Sequence, residues 1–287
     1  MTNEPVAVRS FAVVTDSTAD ILPEIAAAHE VTVVPLTVTF GAESFVDGTF
    51  TQADFFERMA GAPELPKTSQ PSIGAFAEAY RAALETADEV VSVHISNRLS
   101  GTIESARAAA EQFAGCVHVF DSLNLSWGLG WQVIDAAQAA AEGLSPEAAL
   151  DRLAEVRERV KMIVGVDSLD NLARGGRIGR VSTFLGSLLN LKVTFTVDTD
   201  GAFQPVARSR GEKAALELTM DWVAKQMDGA TRGKFAVGHA MSLDRAHRLA
   251  EELRERYDVT ELVVYEAGTV IATHTGSGWS VVVVPGD

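Results

Sequence analysis

One local pattern recurs along the first half of the chain and limits what it can fold into: an apolar run, a loop of Ser, Thr, Asp and Gly, then helical spacing. Residues 11–15 lead into Asp16-Ser17-Thr18, which can cap a short helix expected over residues 23–29. Residues 90–95 lead into the Ser/Gly loop 96–102 and a helix ending at Phe113. Residues 117–120 lead into Asp121-Ser122-Leu123-Asn124 and the alanine-rich stretch 127–142. Strands alternating with helices imply βαβ units and a mostly parallel, Rossmann-like sheet with helices on its faces. In such sheets ligands sit beyond the C-terminal ends of the strands. The loops at 16–18, 68–72, 96–102 and 121–124 are therefore expected along one edge.

Between these units, residues 31–40 read as one strand-like run with a margin or bulge at Pro35. Residues 54–59 read as helix, 67–72 as a polar loop and 75–84 as helix. A helix from Pro146 to about Arg159 precedes a strand at 162–166, and the pattern then changes. Asp198-Thr199-Asp200-Gly201 between two apolar runs signals an antiparallel hairpin. Helices at 213–227 and 244–257 alternate with strands at 235–239, 262–265 and 280–284, an α+β arrangement. At 287 residues and about 150 residues per domain, two domains are expected. The boundary falls near residue 160: an α/β domain with hydroxyl-rich loops over 1–160, and an α+β domain with the arginine-rich segments and His274 over 161–287.

Composition narrows the function. The net charge of −15 argues against nucleic acid, whose phosphates need Lys and Arg, and against anionic membrane surfaces. A single cysteine, Cys116, allows no intrachain disulfide and no cysteine-based zinc cage. A reducing cytoplasm fits. The first ten residues lack a signal-peptide pattern, and the apolar stretch 185–197 is interrupted by Asn190 and Lys192, so neither export nor a membrane span is expected. There is no GxxxxGK[ST] loop, no GxGxxG after the first strand, no GxSxG elbow and no HExxH.

Four constellations remain. Thr68 and Ser69 precede Pro71 and Ser72, and Ser100-Gly101-Thr102 opens a helix. Hydroxyls and free N–H groups at helix starts suit a carboxylate or phosphate oxygen, although Ser72 and Ser100 also read as plain N-caps worth about 1 kcal/mol each. His274 follows an apolar stretch and lies among Thr273, Thr275, Gly276 and Gly278, where it can donate to an anion or act as acid or base. Arg174, Arg177 and Arg180, with Arg208 and Arg210, concentrate cationic forks on an acidic chain, suited to anion contacts or to an acidic partner. His29, His118 and His247 read as surface or structural. His94, in a strand beside the Ser/Gly loop, is ambiguous.

Together these motifs resemble the DegV family of bacterial fatty-acid-binding proteins: Val14-Thr-Asp-Ser-Thr-Ala-Asp20, Val34-Pro-Leu36, Lys67-Thr-Ser-Gln-Pro-Ser72, Leu99-Ser-Gly-Thr102, Phe120-Asp-Ser122, Leu172-Ala-Arg-Gly-Gly-Arg-Ile178 and Thr273-His-Thr-Gly276. They run in family order from about residue 10 to the C-terminus. The resemblance implies a two-domain carrier, not an enzyme and without a metal or cofactor, that encloses a long-chain fatty acid. It presents the carboxylate to a separate ATP-dependent fatty acid kinase, whose acyl phosphate feeds phospholipid synthesis. The implied carboxylate ligands are Thr68, Ser100 and His274, with Ser69, Gly101, Thr102 and Ser17 as further candidates at the mouth. Arg177 and Arg210, with Arg208, fall on the phosphotransfer or partner edge.

Two departures stand out. Ser277 replaces a proline after the His-Thr-Gly motif, and Asn190-Leu-Lys-Val-Thr-Phe195 lacks the proline usual before the hairpin strand. A fatty acid also needs a dry channel, since each buried CH₂ is worth about 0.8 kcal/mol. Residues 184–195 suit its wall, or an ordinary core. Two other readings stay open. One is a phosphotransferase or hydrolase using His274 or His94 as base and Ser100 or Ser17 as nucleophile. The other is a carrier of a different small amphipathic anion.

Overall fold

The computed structural model describes residues 9–184 and 191–286. The chain opens with β1 (Arg9–Asp16), α1 (Pro23–Ala28) and β2 (Val31–Val34), then β3 (Thr37–Phe40), β4 (Glu43–Val46), α2 (Gln52–Gly61) and β5 (Lys67–Ser69). There follow α3 (Ile73–Ala83), β6 (Ala87–His94), α4 (Thr102–Ala110), β7 (Val117–Asp121), α5 (Trp127–Ala141) and α6 (Pro146–Arg159). The second half holds β8 (Lys161–Val166), α7 (Asp170–Arg174), β9 (Leu191–Val197), β10 (Phe203–Arg210) and α8 (Glu212–Met227). It ends with β11 (Arg232–Ala240), α9 (Leu243–Arg256), β12 (Asp258–Glu266), α10 (Thr269–Thr275) and β13 (Gly278–Pro285).

The first sheet is parallel, ordered β2-β1-β6-β7. Parallel strands covered on both faces are apolar throughout rather than alternating, as in β6, which is buried from Val90 to His94. Successive side chains of β1 still go to opposite faces. Val14 packs with Phe76, Tyr80 and Ala106 of α3 and α4, while Phe11 and Val13 join Trp127, Leu129 and Val133 of α5.

The second sheet is mixed, ordered β10-β9-β8-β13-β11-β12, and only β11 and β12 are parallel neighbours. Helices α8 and α9 cover one face through Met220, Val223, Leu249 and Leu253. From the other face Met162, Val164, Ala236 and Val282 join the same apolar cluster as Phe11 and Trp127. Both sheets therefore share one core, with α5 between them.

Three expectations change in three dimensions, and the segment around His274, for which no element is expected, becomes regular. Residues 31–40 are not one strand: Pro35, without an N–H, separates β2 from β3, and β3 turns into a small antiparallel sheet ordered β4-β3-β5. The polar loop at 67–72 begins as β5, because Thr68 and Ser69 pair with Val38 and Thr37. The Asp16 carboxylate caps a 3₁₀ turn at Ser17–Ala19, and α1 starts on Pro23 without a side-chain cap. The His274 segment is a helix, α10, closed by Gly276 at φ 66°. The hairpin at 198–201 forms as expected, Asp198 Oδ1 accepting from the N–H groups of Asp200 and Ala202 at 3.0 and 2.9 Å. Of the apolar stretch 184–195, residues 185–190 lie outside the described residues. Phe195 is fully buried, with its ring 4.8 Å from that of Phe203.

Candidate functional site

Three of the predicted loop groups do converge. The C-terminal ends of β1 and β6, the strand β5 and the helix α10 enclose a cavity whose apolar wall is Leu36, Ile95, Leu99, Leu125, Phe203 and Ile271. Its polar groups are Thr68, Ser100, Arg177 and His274, with Thr18 beside them. A second cavity, walled by Met162, Val164 and Val166, shares Leu125, Phe203, Ile271 and Thr275 with the first. The two adjoin. The outer cavity thus lies at the polar cluster and the inner one against the second sheet, with a shared wall between them.

Each polar group is placed by a different element. Thr68 lies on β5 with its Oγ1 2.8 Å from His274 Nε2. The small sheet holds it there, packing Leu36, Val38 and Phe40 against Val270 and Ala272 of α10. Gly101, not Ser100, occupies the N-cap position of α4, but Ser100 Oγ still accepts from the first helical N–H, that of Thr102, at 3.3 Å and meets Thr102 Oγ1 at 2.8 Å. Ser72, by contrast, is itself the N-cap of α3, accepting from the Ala75 N–H at 3.1 Å.

Gly101 has a steric reason. A Cβ there would lie 2.4 Å from the Gln70 amide oxygen, and Gln70 Nε2 donates to Ser105 Oγ at 2.8 Å. Gln70 thereby ties the 67–72 segment to α4. Arg177 is fixed by donating from Nη1 to the Gly175 carbonyl at 2.7 Å.

His274 is the most constrained of the four. Burial, with the Arg177 charge added, pushes its imidazole down to about 4, so it is neutral at pH 7. Its Nδ1 is buried without a hydrogen-bond partner and faces Gly175, where a Cβ would stand only 2.4 Å away. The tautomer that strands no N–H carries the proton on Nε2, donates it to Thr68 Oγ1 and leaves the threonine hydroxyl to donate onward. The positive charge at this mouth therefore comes from Arg177.

Other predicted residues go elsewhere. Ser17 Oγ donates to Asp47 at 2.7 Å and accepts from the Leu36 N–H at 3.1 Å, which makes it a tie to the small sheet. Ser69 is exposed on β5, and Thr102 is buried in the first turn of α4. Arg208 and Arg210 are on exposed positions of β10 and do not line the cavity. Arg180 donates to Asp198 at 2.6 Å. Thr18, Gly175, Gln70 and Phe203 take part without having been singled out. The DST, GGR and TSQ motifs could have flagged the first three, but nothing local marks Phe203.

The hydrolase reading meets a specific geometry. Ser92 Oγ, His94 and Asp16 line up at 2.6 and 2.9 Å, but all three are fully buried and none lines the cavity. Neither expected nucleophile is bonded to an expected base: Ser17 Oγ donates to Asp47 and Ser100 Oγ meets Thr102, while His274 pairs with Thr68 and has no partner on Nδ1. Among the described residues, no three His, Cys, Asp or Glu side chains are placed to hold a metal ion. No described helix is long and apolar enough to cross a membrane.

Residues 10–286 match the family described as an uncharacterised protein, DegV family. A DegV domain-containing protein of Deinococcus radiodurans is 39% identical over 272 residues, covering 94% of this chain and 96% of that one. A solved structure described as fatty acid binding of a DegV family protein from Thermus thermophilus is 38% identical, with a TM-score of 0.92 and coverage of 96% and 99%. The Streptococcus pneumoniae Fatty Acid Kinase (Fak) B3 protein, solved loaded with linoleic acid, shares the fold at 23% identity, with a TM-score of 0.85 and coverage of 97% and 100%.

Proposed function

This chain belongs to the DegV family, and on that premise we propose that it binds one long-chain fatty acid and presents the carboxylate to a separate ATP-dependent kinase. The observation that carries this reading is the pairing of two adjoining, largely apolar cavities with a polar cluster at one end. Leu99, Leu125, Phe203 and Ile271 offer the wall, and Thr68, Ser100, His274 and Arg177 the mouth. A dozen enclosed methylenes at about 0.8 kcal/mol each contribute on the order of 10 kcal/mol. A buried carboxylate offsets much of that unless its oxygens receive hydrogen bonds.

The mouth meets that need. Thr68, oriented by His274, and Ser100 donate hydroxyl hydrogens, and the Arg177 guanidinium supplies the counter-charge. A carboxylate held at the mouth is the end a kinase can reach. Arg177, with Arg208 and Arg210 on the exposed strand β10, forms the proposed edge for the acyl phosphate and the partner.

The test begins with denaturing the purified protein and extracting it for mass spectrometry. A stoichiometric long-chain fatty acid is expected; none, together with no uptake of added palmitate or oleate, overturns the reading. Adding an ATP-dependent fatty acid kinase to the loaded protein is then expected to give acyl phosphate. Lack of product with an active kinase removes the presenting role and leaves the carrier.

A further inference from the structure

Resting on the fatty-acid reading above, we infer that the inner cavity is built for an acyl chain bearing a hydroxyl group, recognised by Ser280 and the hydrogen-bonded side chains behind it. The inner cavity is not uniformly apolar. Ser126 and Ser280 both line it, together with Met162 and Val164, the latter the cross-strand neighbour of Ser280. Each is more than nine-tenths buried. Tyr265 Oη joins them, 2.7 Å from Ser126 Oγ and 3.0 Å from Ser280 Oγ, and Ser126 Oγ is 2.5 Å from the Asp20 carboxylate.

Counting hydrogens shows where this chain of side chains has capacity left over. Three contacts link four groups, and Tyr265 keeps its proton because burial and the Asp20 carboxyl hold its phenol above the usual range. With Asp20 ionised, hydrogens run from Ser280 to Tyr265 to Ser126 to Asp20, and Ser280 keeps unused lone pairs. With Asp20 protonated on the oxygen that faces Ser126 the run reverses, and the Ser280 O–H has no acceptor. Burial, with Asp47 and Asp16 adding negative charge, pushes Asp20 up to about 8. In both states the spare capacity sits on Ser280, whose only partner among the described residues is Tyr265.

A methylene beside Ser280 leaves that capacity unused: a lone pair when Asp20 is ionised, and the O–H itself when Asp20 is protonated, which is the costly case. A ligand hydroxyl, donor and acceptor at once, satisfies either state. The space beside these groups is kept by Gly238 on β11. A Cβ there would come within 2.5 Å of both Ser280 Oγ and Tyr265 Oη. Ser126 is held at φ 51°, ψ −142°, a conformation L residues rarely adopt, which aims its hydroxyl at Asp20 and Tyr265.

The experiment uses the delipidated full chain and displacement of a fluorescent fatty acid by stearic acid and by a positional series of monohydroxystearic acids. At least one isomer is expected to bind about tenfold tighter than stearate, roughly 1.4 kcal/mol. Ser280→Ala, and Gly238→Ala as a second variant checked for folding by thermal denaturation, are expected to erase that preference. Thr68→Val is expected to weaken stearate and the preferred isomer alike. The inference is overturned if every isomer binds no better than stearate, or if the preference survives in both inner-cavity variants. If wild-type protein binds neither stearate nor any isomer, the fatty-acid reading itself has failed; stearate bound without discrimination removes this inference alone.

Discussion

Thr68 Oγ1 and His274 Nε2 stand 2.8 Å apart although 206 residues separate them in the chain. One belongs to a short strand of the small sheet, the other to the last turn of α10, and the Leu36, Val38 and Val270 contacts hold the two elements together. Because the imidazole is neutral and its proton is committed to Thr68, the threonine hydroxyl is the group aimed at a ligand oxygen. Thr68→Val keeps the shape and removes that donor. Fatty acid affinity measured by calorimetry is expected to fall about tenfold or more, roughly 1.4 kcal/mol, with the melting temperature nearly unchanged. Undiminished affinity would rule out Thr68 as a carboxylate ligand.

Gly175 sets where His274 can sit. An added methyl would stand 2.4 Å from Nδ1 and 3.0 Å from the Asn171 carbonyl, and the latter is backbone that cannot move aside cheaply. Gly175→Ala is expected to push the imidazole off Thr68, weakening ligand binding more than stability. A crystal structure of the variant with the 2.8 Å contact intact would contradict this account.

The His274 imidazole titrates at about 6.5 in the unfolded chain and about 4 in the folded one. Between those values the unfolded state binds more protons, so stability is full above 6.5 and is lost as pH falls toward 4. The loss amounts to about 2–3 kcal/mol. Asp20, raised to about 8, slopes the opposite way, its contribution falling as pH rises from 3.8 to 8. The His274 share is therefore read as the difference between wild type and His274→Asn in urea midpoints at pH 7 and pH 4.5. A constant difference across that range would refute the shift.

Ser277, just after the His-Thr-Gly motif, has its own fastening. Ser277 Oγ donates to Asp167 at 2.8 Å, its carbonyl accepts from the Asp167 N–H at 3.1 Å, and Asp167 also receives Lys192 and Arg245 at 2.5 and 2.9 Å. These hydrogen bonds hold Asp167 below the usual carboxylate range against its burial. Ser277→Ala is expected to cost about 1 kcal/mol of stability and to loosen the segment after His274. Hydrogen exchange that stays equally slow at residues 276–278 would show that the bond does not restrain the turn.

His94 is structural on this geometry. Asp16 accepts from His94 Nδ1, from the N–H groups of Ile95 and Thr18, and from the Thr18 hydroxyl. His94→Ala removes one of these four and leaves a fully buried carboxylate short of a partner, at about 3 kcal/mol. Chemical denaturation is expected to show that loss. An unchanged midpoint would reopen a role for His94 outside the core.

Much of this protein was legible in its residues taken in order. Apolar runs ending in hydroxyl-rich loops implied the parallel sheet β2-β1-β6-β7, and Asp198 to Gly201 implied the β9–β10 hairpin, because turn chemistry and periodicity are local. The motifs around Thr68, Ser100, Arg177 and His274 named the residues that do meet at one cavity. Other features were decided by contacts between distant segments. Val31–Val34 and Thr37–Phe40 look like one run, yet the pairing of β3 with β4 and β5 carries them into different sheets. Ser17 matches the same pattern of small polar residues as Ser100, but the approach of Asp47 makes it a tie to the small sheet. Phe203 lines both cavities because the hairpin folds over the ends of the first sheet, where Ser96 donates to the Gly201 carbonyl, and Ser280 reaches Ser126 only through Tyr265. Sequence determines which residues can donate, pack or turn; which of them share a cavity depends on the closing of loops as long as the 206 residues between Thr68 and His274, and only the packed core settles that.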